Sequence, residues 1–435
     1  MRKILIVFLL AVSLCFNLPL IATIQAVESG GSIKAANIAC WGYQYNSTTK
    51  EIDEYLGSLS DYSPGDTIAP EDLPYHDLIK CALQNEDGTI NYYLNPNDWS
   101  KRADGSAADL TGTDGDVVQV LPKIYEKHTL TLDGKHRYLF STKKLAGFTV
   151  HPAFWDGSNE LDYVCAAVYK AHKDSGTGKL QSISGVKATT DLDRGEYRTA
   201  AELAGAFVQS FYIWDLRVKL IACEFGTYDV QSAIGRGITD VDGGDWSTYN
   251  SYNPIINEGE GDSLASGTGT VDVTVDDFPT AGNSITVQVV KWRGMENFYG
   301  HLWEFVDGVN ILNHEADEAS YAYLCFNPDN FADDTVTNYD NNGELALVDG
   351  YWDNPLLNGL MLPSRATGTS STGMAAYYYT RYNDLSAGYG IDWRVLFVSG
   401  NACRGSRAGF LVNATDDSSN DDPLIGARLC RKYSE

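Results

Sequence analysis

Positive charge is scarce in this chain. Its 435 residues include 32 Lys and Arg against 58 Asp and Glu, which leaves a formal net charge of −26 at pH 7. Proteins that bind nucleic acid concentrate basic side chains on one face to neutralise phosphates, and no segment of this sequence supplies such a face. Nucleic acid is therefore excluded as an expected partner. The acidic excess predicts a solvated surface, with calcium binding as the alternative.

The sequence also lacks the spacings that mark common catalytic sites. It contains no Cys-x-x-Cys, which argues against zinc ribbons and thioredoxin-like redox sites, and no Gly-x-Ser-x-Gly elbow. His314-Glu315 lacks the second histidine of a zinc-protease helix. Many carboxylate pairs would suit glycoside hydrolysis, but no spacing selects one of them. We therefore expect a binding protein and not an enzyme, with a glycan hydrolase as the weaker alternative.

The cysteines are widely spaced. Cys165 and Cys223 lie inside apolar runs, where a buried free thiol is the expected state. Cys403 and Cys430 flank the C-terminal loop, and a bond that closes this loop is the alternative for that pair.

The first 26 residues predict an export signal. Arg2 and Lys3 precede an apolar run over residues 4–14, and Ala26 offers a cleavage point. Ile24 occupies a position that favours a small residue, so an uncleaved membrane anchor is the alternative. We expect the mature protein to be secreted or displayed at a cell surface.

Two regions are expected after this signal. Short apolar runs between turn sequences predict a mostly-β module over residues 27–145, and residues 146–435 form the second region. Apolar residues at three- and four-residue steps predict its strongest helix at about 211–225, which Gly226 ends. A tract at about 242–269, rich in Gly, Ser and acids, predicts a long surface loop.

The C-terminal segment, residues 393–431, combines two strand-like stretches with a polar loop. Residues 393–398 and 425–431 are the predicted strands. The unlike polar side chains between them suit recognition, and a merely solvated loop is the alternative. The aromatic-rich segment 292–308 predicts core packing, with a carbohydrate-stacking surface as the alternative.

Two of these segments resemble the signature regions of a known family. Gly300-His301-Leu302-Trp303-Glu304-Phe305 resembles the Gly-Asn-Val-Trp-Glu-Trp motif in the formylglycine-generating-enzyme (sulfatase-modifying factor) branch of the C-type lectin fold. Residues 393–431 resemble that family's closing strands around a surface loop. The enzymes of this branch use two neighbouring cysteines to bind copper, and no such pair is present here, so oxidase activity is not implied.

The chain is more similar still to phage tail and exported adhesin proteins whose terminal lectin-like domain is diversified by retroelements. These proteins share the pattern Arg-Gly-x-Glu-Asn-x-x-Gly-x-x-Trp-x-x-Val-Asp-Gly, which is matched over residues 293–308. They also share an ending like Gly400-Asn401, a polar loop and Ile425-Gly426-Ala427-Arg428. Residues 87–123 resemble the amino-terminal module of such tail proteins. The export signal is a departure, because virion tail proteins normally lack one.

The resemblance implies an α+β fold in which a C-terminal C-type-lectin-like domain follows a small mostly-β module. Its core would hold a penultimate loop that presents variable side chains to a ligand. The implied scaffold residues are Trp303, Gly400, Gly426 and Arg428. The implied ligand-contact positions are Ala402, Cys403, Arg404, Arg407, Phe410, Asn413, Thr415, Asp416, Ser418, Asn420 and Asp422.

These features predict an exported or virion-displayed recognition protein that binds a cell-surface protein or a glycan through this loop. A self-assembling structural subunit of a surface layer, filament or virion is the alternative. No cofactor is expected apart from calcium, for which the candidate ligands are Asp416, Asp417, Asp421 and Asp422.

Overall fold

The computed structural model describes residues 40–241, 253–278, 281–314, 319–369, 376–380 and 392–432. The chain divides into two compact units, Met1–Asn37 and Ile38–Glu435. The first unit contains the predicted export signal and lies outside the described residues. No helix within the described ranges combines the length and the apolar composition needed to cross a membrane.

Strands dominate the second unit. Among the described residues, strands hold 38% and helices 13%, with three α-helices and a sheet that curls into a half-barrel. The predicted α+β, C-type-lectin-like fold is therefore wrong. The physical reason is that short apolar and aromatic runs, such as residues 41–46 and 116–122, form strands that are buried along most of their length. Among the described residues, two α-helices have ten or more residues, at 194–203 and 211–225.

The elements are numbered along the chain. The α-helices are α1 (Arg194–Leu203), α2 (Phe211–Phe225) and α3 (Val230–Ala233). The strands are β1 (Trp41–Asn46), β2 (Glu51–Gly57), β3 (Lys80–Gln84), β4 (Ile90–Asn95), β5 (Asp98–Arg102), β6 (Asp116–Pro122), β7 (Tyr125–Leu130), β8 (Lys135–Ser141), β9 (Thr149–Val150), β10 (Tyr163–Ala167), β11 (His172–Lys173), β12 (Leu180–Gln181), β13 (Phe207–Val208), β14 (Gly269–Asp276), β15 (Ser284–Trp292), β16 (Met295–Glu296), β17 (Trp303–His314), β18 (Ala319–Leu324), β19 (Asp340–Glu344), β20 (Gly350–Tyr351), β21 (Asn354–Pro355), β22 (Pro363–Arg365), β23 (Tyr377–Thr380), β24 (Asp392–Val398), β25 (Val412–Ala414), β26 (Ile425–Ala427) and β27 (Leu429–Lys432).

Three large sheets organise these strands. Their strand orders are β2-β1-β8-β7-β9, β13-β27-β10-β6-β3-β4-β5 and β19-β18-β17-β24-β25-β23-β20. The third sheet has an eighth strand, β26, which pairs with β17. In the second sheet, β10 pairs with β6 on one side and with β27 on the other. Strands from both sides of residue 145 therefore share one sheet.

The helix predicted at about 211–225 is confirmed as α2. The side chain of Ser210 accepts a hydrogen bond from the Ile213 backbone nitrogen at the start of the helix, and Gly226 ends it with a φ of 63°. All residues from Phe211 to Cys223 are buried. Two of its buried charges pair with each other, since Lys219 Nζ lies 2.7 Å from Asp215 Oδ2.

The segment 292–308 packs in the interior, as predicted. Trp292, Tyr299 and Phe305 each have a side chain with 0% exposure. The tract predicted as a surface loop also contributes to the core, because Ile255 and Ile256 are buried.

The cysteines in apolar runs, Cys165 and Cys223, are buried free thiols, as predicted. All seven cysteines of the described residues are free thiols, and the alternative bond between the two that flank the C-terminal loop is not formed.

The C-terminal loop is held at both ends by the eight-stranded sheet. β24 lies between β17 and β25, and the predicted strand at residues 393–398 is thereby confirmed. After the loop, β26 returns parallel to β17, with Trp303 opposite Ile425. The loop therefore leaves and re-enters the same sheet.

Candidate functional site

A cavity of about 310 Å³ lies beside the ends of β24, β25 and β26. The residues that line it are Trp303, Phe397, Arg404, Asn413, Thr415, Asp416, Asn420, Asp422, Leu424 and Ile425. Six of the eleven predicted contact positions are among them, although these six are spread over nineteen residues of the sequence. The structure thus brings together most of the polar part of the predicted site.

Strand register explains why Asn413 faces this cavity. Asn413 of β25 lies opposite Phe397 of β24 and opposite Tyr379 of β23. Side chains that are opposite one another in a sheet lie on the same face, whereas neighbours along a strand alternate. Val412 and Tyr378 therefore point to the other face, where both are buried with 0% exposure.

The Asn413 side chain is nearly buried, and only one of its two polar atoms makes a hydrogen bond to the described residues. Its side chain is 6% exposed, and its Oδ1 accepts a hydrogen bond from the Thr415 backbone nitrogen at 2.9 Å. Its amide nitrogen makes no hydrogen bond to any described residue. In Asn420, Oδ1 likewise accepts from the Asp422 backbone nitrogen at 3.1 Å, which leaves a second amide donor at the cavity.

Two carboxylates line the same cavity. Asp422 Oδ1 accepts a hydrogen bond from the Leu424 backbone nitrogen at 2.8 Å, and Asp416 Oδ2 accepts one from Thr415 Oγ1 at 2.7 Å. Burial raises the pKa of Asp422, and the neighbouring carboxylates of Asp416, Asp191 and Asp421 raise it further. Several carboxylates therefore lie close to Asp422.

A group of arginines and tyrosines continues the surface beyond the cavity. The Arg404 guanidinium lies 5.5 Å from the Trp303 ring centre and 5.0 Å from that of Tyr379. The Arg407 guanidinium lies 4.6 Å from the Tyr377 ring centre and donates a hydrogen bond to the Tyr379 hydroxyl at 2.9 Å. We call Tyr377, Tyr379, Arg404 and Arg407 the tyrosine–arginine patch. Guanidinium groups at these distances are attracted to the aromatic faces and hold the rings in place.

Sequence reasoning missed the two tyrosines of this patch. They precede the loop by more than twenty residues, and only the parallel pairing of β23 with β25 brings them to it. The alternation in Tyr377-Tyr378-Tyr379 was the available signal, because period two places the first and third rings on one face.

The other predicted contact positions lie elsewhere. Ala402 and Phe410 are inside the protein, with 0% and 2% exposure, and the Phe410 ring lies 6.1 Å from that of Tyr228. A buried side chain cannot meet a ligand, so these two positions are corrected to core. Cys403 is partly exposed and is 3.2 Å from Asn401 Oδ1. Ser418 Oγ donates to Asp334 Oδ2 at 3.1 Å, outside the cavity.

The four predicted scaffold residues occupy supporting positions. Gly400 has a φ of 76°, and a Cβ there would lie 3.1 Å from Ala408. A Cβ on Gly426 would lie 3.4 Å from the Leu302 side chain. Trp303 has two roles, because its ring is 3% exposed and also forms a wall of the cavity.

Arg428 is fully buried and joins three segments of the chain. Its Nε donates to Glu304 Oε2 at 2.9 Å, and Nη2 donates to the carbonyl oxygens of Glu296 and Asn297 at 2.5 and 3.1 Å. Its Nη1 donates to the Val168 carbonyl oxygen. Arg428 thus fixes β17 and the segment before it beside the strand that ends the C-terminal loop.

The candidate calcium ligands are divided between two environments. Asp416 and Asp422 line the cavity, whereas Asp417 and Asp421 are exposed outside it. Throughout the described ranges, no three His, Cys, Asp or Glu side chains form a group that could hold a metal ion.

A larger cleft of about 700 Å³ lies beside α1 and β13. Its arginine, Arg198, is already paired, since Nε lies 2.8 Å from Asp307 Oδ2 and Nη1 lies 3.0 Å from Asp333 Oδ2. The smaller cavity is the stronger candidate, because it is lined by the Asn413 and Asn420 side chains, whose amide nitrogens have no hydrogen-bond partner among the described residues. No family model and no curated protein matches this chain.

Proposed function

We propose that the protein is an exported or virion-displayed recognition protein that binds a cell-surface protein or a glycan through its C-terminal cavity and the tyrosine–arginine patch. One observation carries the proposal: separate stretches of the loop place six polar side chains around one cavity, against the wall formed by Trp303. The resemblance of residues 293–308 and 400–428 to phage tail proteins and exported adhesins is a second reason for the proposal.

The composition of this surface supports a binding role. Tyr, Trp and Arg carry a large share of the energy in protein interfaces, and tyrosines lose little conformational entropy when they bind. In the patch, the rings of Tyr377 and Tyr379 are already packed 4.6 Å apart between their centres. A partner would therefore meet side chains that are largely ordered beforehand.

Point variants test this proposal better than exchange of the whole loop. The loop contains β25 and buried side chains such as Phe410, so its exchange would damage the core. Arg407→Ala and Asn420→Ala instead change the patch and the cavity without touching the interior. Arg137→Ala, at another exposed arginine on β8, is the matched control.

Fluorescently labelled full-length protein would be applied to a glycan array and to a panel of purified cell-surface proteins. We expect bound partners to be lost or weakened about tenfold in both site variants and retained in the control. Partners that bind the site variants and the unchanged protein equally would contradict the proposal.

A glycan hydrolase is a second candidate, favoured by the presence of Asp416 and Asp422 in one cavity with a raised Asp422 pKa. A carboxyl group whose pKa is raised can serve as a general acid beside a second carboxylate. Release of reducing ends from array glycans, abolished by Asp422→Asn, would support this candidate. Binding without product release would favour the recognition protein.

A further inference from the structure

Several carboxylates lie near Asp422. Asp416 and Asp422 line it, Asp191 and Asp421 act on Asp422 from nearby, and Arg404 is the one cation among the described lining residues. The second oxygen of Asp422 has no hydrogen-bond partner in the described part of the chain. A ligand group with positive charge would lower the repulsion among these carboxylates.

The cavity also offers two donors that lack acceptors. The amide nitrogens of Asn413 and Asn420 make no hydrogen bond within the described residues, and the Asn413 side chain is only 6% exposed. Donors that face a cavity in this way can bind acceptor oxygens, so the ligand should also bring such oxygens. An extended peptide segment provides both kinds of group, because its main-chain carbonyls accept while a basic side chain carries the charge.

The aromatic faces of the site are already covered. The Arg404 guanidinium lies over Trp303 and Tyr379, and the Arg407 guanidinium lies over Tyr377. A sugar ring would need an open aromatic face on which to pack, and these rings offer little of it. The cavity volume of about 310 Å³ also suits one side chain better than an oligosaccharide.

We infer that the partner is a protein that inserts a lysine or arginine side chain into this cavity, with its cationic group on Asp422 and neighbouring main-chain carbonyls on the Asn413 and Asn420 amides. The inference rests on the proposed function and names the class of partner. The tyrosine–arginine patch then contacts the surface around the inserted side chain.

The test uses the full chain and three peptide probes. The first is acetyl-Gly-Gly-Arg-Gly-Gly-amide, the second carries lysine at the centre, and the third carries citrulline, which has the shape of arginine without its charge. Titration calorimetry at low salt would measure each affinity. We expect the arginine and lysine peptides to bind about tenfold more tightly than the citrulline peptide.

Two variants connect this preference to the cavity. Asp422→Asn keeps the oxygen that accepts from Leu424 and removes the charge, so the preference for a basic side chain should disappear. Asp421→Asn removes the same charge from the neighbouring exposed position and should retain most of the preference. Thermal unfolding of both variants would establish that each is folded.

The outcomes separate this inference from the proposed function. Equal binding of the arginine and citrulline peptides, or a preference that survives in Asp422→Asn, would overturn the inference. If methyl glycosides bound at the cavity and the basic peptides did not, the recognition function would stand and the partner class would be wrong. If array and panel partners proved insensitive to the site variants as well, the proposed function itself would fail.

Discussion

Replacing Arg428 by methionine would remove a buried charge from the network that supports the candidate site while nearly preserving the volume of the side chain. Wild-type Arg428 donates to Glu304 and to the backbone carbonyls of Val168, Glu296 and Asn297. The variant would leave the Glu304 carboxylate with one cationic partner and three carbonyls without this donor. We expect a large loss of stability with little change in packing.

The size of this loss follows from the remaining partner of Glu304. Removing one member of a buried ion pair costs about 3–5 kcal/mol, because the other charge stays in a medium of low polarity. Lys170 Nζ remains 3.1 Å from Glu304 Oε1, which places the expected loss near the lower end, at about 3 kcal/mol. Domains are stable by only about 5–15 kcal/mol, so the variant should be clearly weakened.

Urea unfolding followed by the fluorescence of the nine tryptophans would measure the change. Lys101→Met, which breaks the exposed ion pair between Lys101 and Asp98, is the control and should unfold at the wild-type urea concentration. Adding Glu304→Gln to the Arg428 variant should lower the stability further, since the buried Lys170 ammonium then loses its carboxylate partner. A loss below about 1 kcal/mol would refute the reasoning, because a buried pair of this kind cannot be so weak if the network supports the fold.

The pH dependence gives a second measure of the same network. Burial alone would raise the pKa of Glu304, but Arg428 and Lys170 together hold it below its usual value. A lowered folded-state pKa contributes stability above the unfolded-state pKa, and this contribution is lost as the pH falls through the folded-state value. The free energies of unfolding of wild type and Arg428→Met, plotted against pH, should therefore converge in acid. Curves that stay parallel down to low pH would exclude this linkage.

Three further predictions concern the loop. Phe410→Ala should lower the free energy of unfolding by about 3 kcal/mol, whereas Arg407→Ala should change it by less than about 0.5 kcal/mol. Equal effects of the two variants in urea unfolding would contradict the assignment of Phe410 to the core. Asp422→Asn should have a higher melting temperature than wild type at pH 7, because the raised pKa of Asp422 means that its ionised form is less stable in the folded protein. The difference in melting temperature should shrink in acid, where Asp422 becomes protonated. A lower melting temperature of the variant at pH 7 would contradict this prediction. Gly400→Ala should cost about 1–3 kcal/mol, since its φ is 76° and the new Cβ would crowd Ala408, and an unchanged melting temperature would show that the turn can relax.

Local patterns predicted single elements well. The helix α2 was predictable because its apolar residues recur at helical steps and Gly226 can adopt the left-handed conformation that ends it. The strand hairpin β14–β15 follows from the alternation of its valines. The fold class was predicted from a family resemblance and is wrong, because a few matching motifs do not fix how many strands the intervening sequence forms.

The candidate site was predicted in part. A polar loop predicts exposure, and that rule failed for Phe410, which begins the apolar run Phe410-Leu411-Val412 leading into β25. This run was the signal for burial. Nothing local could place Tyr379 beside Asn413, since that neighbourhood depends on the register of a parallel pair formed by distant segments.

The position of β27 in the seven-stranded sheet affects the order in which the protein can fold. β27 lies between β10 and β13, so it pairs with strands made more than 200 residues earlier. Until the ribosome has released residues 429–432, β10 has an open edge and Arg431 cannot reach Asp116, its partner at 2.5 Å. Completion of this sheet therefore waits until residues 429–432 are synthesised, and a nascent chain would need protection from aggregation during that time.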